Sequence, residues 1–580
     1  MRSAPSLPTL AGALESLDGP APALVALDRA LDYTALRAAA RGVATWLVQN
    51  GVPPGARVAI VQRDGPWAAV MLLGVSHAHA ALPLNPNLSA EDYAFAITDF
   101  GVTAVLVEQG ALDRTRLDAV TVPILSFTPW SIHPTGSDTP APAPAPADAP
   151  AFLLHTSGTT ARPKKVVLTQ ERIFRSANVI SGALKLGAAD RCLTGMPMFH
   201  VHGILNALAS TLVSGGSFVH SGPFDTLAFY AHLRSLEPTW ITAVPTMYHA
   251  IAVRAELVPP ERKLRFLRSS SAPLSDILAE RLGHLFAVPV VSSYGMTEID
   301  PIACVSVGET PPPGAVGRPA GLDVRLAGPG GEEVSGDAMG EVWVRGARVI
   351  AAYEAEPEIN RAAFSDGWFR TGDLARRDDA GWLYLAGRIK EIINRAGEKV
   401  APLEIDAVLL RHPEVIEAAA FGTPDAVLGE EIAAAVVLQP GSTLAEHALR
   451  AWLAERLAFH KCPRHLHFVS ALPKGPTGKL LRGALSRTPA PAAPRDDTGG
   501  DGRAGDVALV CAVWAEVLGL GDVAPDANFL DLGGSSTASL DILDRLSERL
   551  GRDLPVDVLF DSDTPIALAA AVRRLTEKPT

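Results

Sequence analysis

Residues 155–165 read HTSGTTARPKK, with Ser, Thr and Gly crowded behind the apolar run APAFLLHTS. Small hydroxyl residues and glycine let backbone N–H and side-chain O–H groups converge on phosphate oxygens. A Walker A loop is excluded, because no Gly-Lys-Ser/Thr ends the stretch. A second chemical candidate is the serine pair in LDLGGSSTASLDIL, residues 530–543. Serine ahead of an apolar helical pattern is a favoured helix cap, and the same hydroxyl is a possible attachment point. A third is FHVHG, where His200 and His202 sit two apart. They can gate a pocket or donate to a polar ligand; a zinc pair would need a third ligand, and none is evident.

These stretches need a scaffold. Upstream of about residue 390, apolar strand-like runs alternate with amphipathic helical ones: ARVAIVQ before PWAAVMLLGVSHAHA, AEDYAFAITDF before VTAVLVE, and a helix beginning near Gln170. Such alternation predicts an α/β architecture with largely parallel sheets. Residues 390–485 mix strands (EAAAFGTP, EIAAAVVLQ) with helices and read as a smaller α+β unit. Two segments read as linkers, the Pro/Ala spacer 134–150 and the Pro/Gly/Asp stretch 488–506. The second is the stronger boundary. Beyond it the chain turns acidic, with acids outnumbering bases about two to one, and VALVCAVWAEVLGL and SLDILDRLSERL carry helical spacing. A small all-α four-helix bundle is expected there.

Composition narrows the class. A chain of 580 residues exceeds one compact core. No apolar run approaches the length of a membrane span, and the N-terminus has Pro and acidic residues where a signal peptide needs an apolar core. The four cysteines, Cys192, Cys304, Cys462 and Cys511, show no ligand-like spacing, which fits a reducing cytoplasm. A formal net charge of −12 argues against a nucleic-acid partner.

The loop has company. LPLNPNLSAEDYAFAITDFG lies ahead of it, and MPMFHVHG, SSSAPLS, SSYGMTEID, GEVWVRG, GWFRTGDLARRDDAGWLYLAGRIKEIINRAGEKVAPLEID and LPKGPTGKLLR follow in order. Together they resemble the motifs of the adenylate-forming superfamily of acyl-CoA synthetases, luciferases and peptide-synthetase adenylation domains. The resemblance implies a large adenylation domain over 1–389, a small mobile domain over 390–487, a linker over 488–506 and a carrier domain over 507–580. It implies ATP and magnesium as reactants, with an acid first joined to AMP and then passed to a thiol. By the same resemblance, Ser157, Thr159, Thr160 and Lys164 hold the leaving phosphates, the Tyr294 ring stacks on the adenine, and Thr156, Gly158, Ser271, Ala272 and Gly295 complete the ATP/AMP site. Asp373 binds the ribose hydroxyls and Arg388 supports the nucleotide. Thr297 contacts phosphate, Glu298 is the magnesium carboxylate, and Lys479 is the catalytic cation. Lys390 is the hinge residue, with the loop around Gly397 turning to the thiol. Two positions depart from the pattern: Ala161 and Lys165 stand where glycines are usual.

The acid is expected to be small. Amino-acid adenylation domains usually have an FDxS-like stretch, and FHVHG supplies no carboxylate there. The pocket is expected from His200, His202, Gly203, Ser269 and Asp300, with His200 also near the chemistry. The motif combination looks most like the oxalyl-CoA synthetase branch, whose members tend to have a His shortly after MTE. This chain has MTEIDP, and Asp300 would repel a second carboxylate, pair with a displaced amine, or cap the turn before Pro301. NFLDLGGSSTASLDIL resembles the attachment motif of carrier proteins, so Ser536 is expected to bear 4′-phosphopantetheine. The expected function is an acid–carrier protein ligase of natural-product biosynthesis. Its partners would be a phosphopantetheinyl transferase using CoA and a downstream enzyme, with no membrane. The rivals are a free acyl-CoA synthetase with a docking module, an amino-acid-activating didomain and a decayed ligase.

Overall fold

The computed structural model describes residues 9–17, 19–130, 132, 140–156, 163–260, 264–425, 428–475, 478–486, 504–529, 532, 536–552, 554, 558, 562 and 564–577. The chain forms two compact units. The first holds residues 1–385 together with Gly475–Lys479, and the second holds 386–474 and 480–580.

Two largely parallel sheets build the first unit. One has six strands in the order Ile124–Phe127, Ala104–Glu108, Arg57–Val61, Ala80–Leu84, Pro150–Thr156 and Lys164–Thr169. All neighbours run parallel except the last pair. AVLVE and AALPL are buried at every position, the pattern of strands covered on both faces. The helix Pro66–Ala78 is buried from Trp67 to Ala78. It is therefore an internal helix and not the amphipathic one its surroundings suggested.

The other sheet has nine strands. Its parallel core runs Val290–Met296, Phe266–Ser269, Trp240–Ala243, Arg191–Thr194, Ser217–His220 and Pro22–Val25. In such sheets ligands gather at the carboxyl ends of the strands. The stretches containing His200 and His202, Thr242, Ser269 and Ser271, and Tyr294 all lie at those ends. A smaller antiparallel sheet follows and presents Asp373 on the strand Trp368–Arg377.

Residues 140–149, read as part of a spacer, form no helix or strand but are held down. Ala145 is buried and its N–H donates to the His77 carbonyl at 2.7 Å; the His77 ring meets the Pro142 carbonyl at 3.2 Å. Residues 134–139 lie outside the described residues.

In the second unit, strands Val415–Asp425 and Gly429–Leu438 pair antiparallel, and His465–Phe468 adds in parallel. Arg482 is buried against Asp406 at 2.7 Å, while the other Asp406 oxygen accepts from the Ala420 N–H at 2.6 Å. The linker expected at 488–506 lies outside the described residues up to 503, and a helix already opens at Ala504. Helices Ala504–Leu518, Ser536–Leu550 and Pro565–Glu577 close around Trp514, Ile542, Leu546 and Leu568. The place for a fourth helix, 551–563, is described only in part. Among the described residues no helix is long and apolar enough to cross a membrane.

Candidate active site

Strands Pro150–Thr156 and Lys164–Thr169 form a hairpin in which Thr156 faces Lys164. Ser157, Gly158, Thr159, Thr160 and Ala161 lie outside the described residues. Lys164 sets its ammonium 4.5 Å over the Tyr353 ring and 3.4 Å from its hydroxyl. That hydroxyl donates to Glu298 Oε1 at 2.6 Å. Tyr353 is itself clamped: Asn360 accepts from its N–H at 2.7 Å and donates to its carbonyl at 2.8 Å. Next door, Arg57 holds Glu354 with both arms. A buried carboxylate and a lysine from distant segments thus converge through a tyrosine that no motif had singled out.

Lys165, the added charge, turns away from this group. It pairs with Asp99 Oδ1 at 3.1 Å, while His155 meets Asp99 Oδ2 at 3.0 Å between the Phe95 and Phe100 rings. Burial pushes the Asp99 carboxyl up, but hydrogen bonds from His155 and Lys165 and the charges behind them carry it below the usual range.

Thr297 and Glu298 form the two-residue tip of a hairpin, closed by the pairing of Met296 with Ile299. Glu298 is buried and Thr297 half-buried. On the incoming strand the Tyr294 hydroxyl donates to Asp373 Oδ2 at 2.7 Å, which fixes the ring and the carboxylate together. Asp300 lies in the outgoing strand, and its carboxylate accepts from Asn206 Nδ2 at 2.9 Å. A Cβ on Gly295 would come within 2.7 Å of Asp300 Cγ, so glycine there is a steric requirement.

His202 opens a π-helical segment, His202–Ala209, a geometry that concentrates at functional sites. It is fully buried, with Nδ1 on the Ser271 hydroxyl at 3.0 Å and Nε2 on the Thr242 hydroxyl at 2.7 Å. Both ring nitrogens are thereby engaged away from any metal geometry. His200 Nδ1 accepts the His202 N–H at 3.2 Å, which leaves its proton on Nε2. Burial, then the Lys479 ammonium, pushes His200 down to about 4; burial, then the charge of Arg268, holds His202 well below its usual value. Both rings are neutral donors at neutral pH. Ser271 holds φ at 71°, a left-handed conformation, while its hydroxyl meets His202. Gly203 admits no side chain, since a Cβ would sit 2.4 Å from the Pro197 carbonyl oxygen. Ser269 is buried at its strand end, and Ala272 follows Ser271 in a half-buried bend.

Lys479 belongs to the first unit with Gly475 and Gly478. Its carbonyl accepts from the Gly475 N–H at 2.8 Å, and Gly478 O lies 3.4 Å from the Thr246 hydroxyl. Arg388 and Lys390 fall in the second unit, Lys390 exposed in the short turn Ile389–Glu391. Ala396 and Gly397, at φ 50° and 92°, make the tip of a tight hairpin there. Ser536 begins the helix Ser536–Leu550, whose first turn has no acidic residue; Ser535 lies outside the described residues.

A family model described as AMP-binding enzyme matches residues 17–354. The chain belongs to the AMP-binding enzyme family. The AMP-binding enzyme C-terminal domain matches 404–479, and the phosphopantetheine attachment site model matches 508–572. This AMP-binding enzyme is 36% identical to an oxalate–CoA ligase of Arabidopsis thaliana over 82% of its own length and 97% of the relative's. It is 35% identical to a sulfoacetate–CoA ligase of Cupriavidus necator, over 78% and 91%. Among solved structures, ATP-bound MatB from Rhodopseudomonas palustris superposes with a TM-score of 0.77 at 28% identity, covering 83% of this chain and 99% of that one. The protein is thus an adenylate-forming acid–thiol ligase with a carrier domain, on the multidomain α/β fold expected.

Proposed function

We propose that this ligase joins a small carboxylic acid to AMP and delivers it to the phosphopantetheine thiol of its own carrier domain, in the cytoplasm and in the service of natural-product assembly. The observation that carries the reading is Lys479, whose charge bears on His200 within the first unit, in a chain that also has a phosphopantetheine attachment match.

In the first half-reaction a carboxylate oxygen bonds to the α-phosphorus as the bond to the pyrophosphate oxygen breaks. Lys479 stabilises the charge shared between those oxygens. Thr156, Lys164 and the hydroxyls of Ser157, Thr159 and Thr160 hold the leaving phosphates, with Thr297 beside them. The Tyr294 ring, Gly295, Ser271 and Ala272 frame the adenine, Asp373 accepts the ribose hydroxyls and Arg388 supports the nucleotide. Magnesium fits Glu298. A single buried carboxylate oriented by Tyr353, with no cluster of three His, Cys, Asp or Glu among the described residues, suits a cation that takes its other ligands from phosphates and water. Bound there, it would neutralise charge on the phosphates.

In the second half-reaction sulfur bonds to the acyl carbon, the carbon–oxygen bond to AMP breaks, and the thiol proton passes to solvent. Ser536 fits the attachment role: a helix start without first-turn acids tolerates a phosphodiester. Lys390 serves as the hinge between the two half-reactions.

Intact-protein mass spectrometry after phosphopantetheinylation and incubation with ATP and candidate acids tests the proposal. Ser536→Ala should lose the protein-bound acyl mass and keep ATP–pyrophosphate exchange, whereas Lys479→Ala should do the reverse for exchange and keep the phosphopantetheine mass. The names of the relatives, both CoA ligases, favour free CoA as a second acceptor. Acyl-CoA formation undiminished in Ser536→Ala, without any acyl mass on the wild-type chain, would replace the first reading with that one.

A further inference from the structure

Two buried acceptor atoms next to the Tyr294–Glu298 segment have no hydrogen-bond partner among the described residues: Asp300 Oδ1 and Asn206 Oδ1. Asn206 is 0% exposed and Asp300 4%. The single bond between them, Asn206 Nδ2–H to Asp300 Oδ2 at 2.9 Å, fixes the amide nitrogen as donor and leaves its oxygen as acceptor. Asn206 stands four residues after His202 in the π-helical segment, and Asp300 two residues after Glu298. The carboxylate is pressed against Gly295. Native proteins rarely leave such atoms unmatched in the interior, so each calls for a partner supplied by water or by a bound group.

The surroundings specify what is missing. Arg268 and Arg348 both act on Asp300 through their charge, yet neither gives Oδ1 a hydrogen bond. Arg268 donates to Ser293 at 2.7 Å and Thr242 at 3.3 Å; Arg348 donates to the carbonyls of Pro301 and Ala320. A second carboxylate on the acid brings no donor for two acceptors. A hydroxyl brings one. An ammonium adds positive charge beside two guanidinium groups already present. An uncharged NH2 group brings two N–H donors and no charge.

Resting on the adenylation reading above, we propose that the acid carries an uncharged NH2 group, an arylamine or a primary amide, held by Asp300 Oδ1 and Asn206 Oδ1. Asp300 and Asn206 are then the specificity-determining pair of the acyl pocket.

ATP–pyrophosphate exchange on the full chain tests this with matched acids. One set is benzoate, 3-aminobenzoate, 4-aminobenzoate, 3-hydroxybenzoate and isophthalate; the other is butanoate, succinamate and succinate. The two sets separate an arylamine from a primary amide. An NH2-bearing acid should exceed its unsubstituted and dicarboxylic partners in kcat/KM by at least about tenfold. In Asp300→Asn and Asn206→Leu that ratio should collapse to within about threefold. The wild-type ratios test the idea even where a variant misfolds. Preference for an unsubstituted or dicarboxylic acid overturns it, as does a ratio that survives both substitutions. Exchange with no acid at all removes the adenylation reading first and this inference with it.

Discussion

Tyr294 and Asp373 lie 79 residues apart and meet through a 2.7 Å hydrogen bond. The strand that supplies the ring belongs to the nine-stranded sheet, and the strand that supplies the carboxylate belongs to the antiparallel one. The bond makes two proposed nucleotide contacts, one to the base and one to the ribose, a single rigid unit.

Tyr294→Phe keeps the ring and removes the donor. A hydrogen bond to a charged group contributes about 1.5–3 kcal/mol, part of which Asp373 recovers from its other contacts. KM for ATP should rise about three- to thirtyfold, with kcat less affected. Steady-state exchange measured against ATP concentration checks this, and an unchanged KM would remove the bond from nucleotide recognition.

Tyr353 orients Glu298 without belonging to any motif read in the sequence. Tyr353→Phe deletes the 2.6 Å bond and keeps the ring under Lys164. Outer-shell losses of this kind weaken metal binding by about tenfold or more. The magnesium concentration giving half-maximal exchange should rise by that order. Titrating magnesium at saturating ATP reads it directly, and an unshifted midpoint would confine Tyr353 to packing.

Lys165→Met keeps the aliphatic stem and removes the charge from Asp99. With the lysine side chain 10% and the aspartate 23% exposed, the pair is shielded from water, while His155 remains as a partner. A loss of about 1–2 kcal/mol in stability is expected. Denaturant titration measures it. Stability equal to wild type would show that His155 alone suffices.

Much of this molecule was legible in its sequence, and the limits have a physical cause. The strands AVLVE and EIAAAVVLQ and the helix from Gln170 carry their periodicity in contiguous residues, whereas the strand Lys164–Thr169 behind the Gly/Thr loop and the hairpin around MTE show only in the pairing. Pairings set by tertiary packing carried no such signal. Asp99 lies 66 residues before Lys165, and Tyr353 lies 55 after Glu298; nothing in AAYEAE distinguishes a site tyrosine from a core one. The pattern FHVHG gave the histidines without the π-helical winding that sets Asn206 facing Asp300. Asp300 before a proline suggested a turn, whereas the chain continues as a strand and turns the carboxylate inward.

The neutral histidines set a pH dependence. His202 is fully buried and held well below its usual value, and His200 is pushed down to about 4. In the unfolded chain both take a proton near pH 6.5. Below that pH the unfolded state therefore binds more protons than the folded one, so stability falls as pH drops, down to the folded value of each ring. For His200 the window runs from about 6.5 to about 4; for His202 it opens at the same upper limit. Each ring steepens the fall by up to about 1.4 kcal/mol per pH unit. His202→Gln, which can still bridge Thr242 and Ser271, removes one such proton. Denaturant midpoints from pH 7.5 to 5 should show the variant less stable than wild type at neutral pH, with a shallower decline below 6.5. Parallel profiles would mean that the folded protein protonates His202 as readily as the unfolded chain does. The Thr242 and Ser271 contacts would then have to rearrange on acidification.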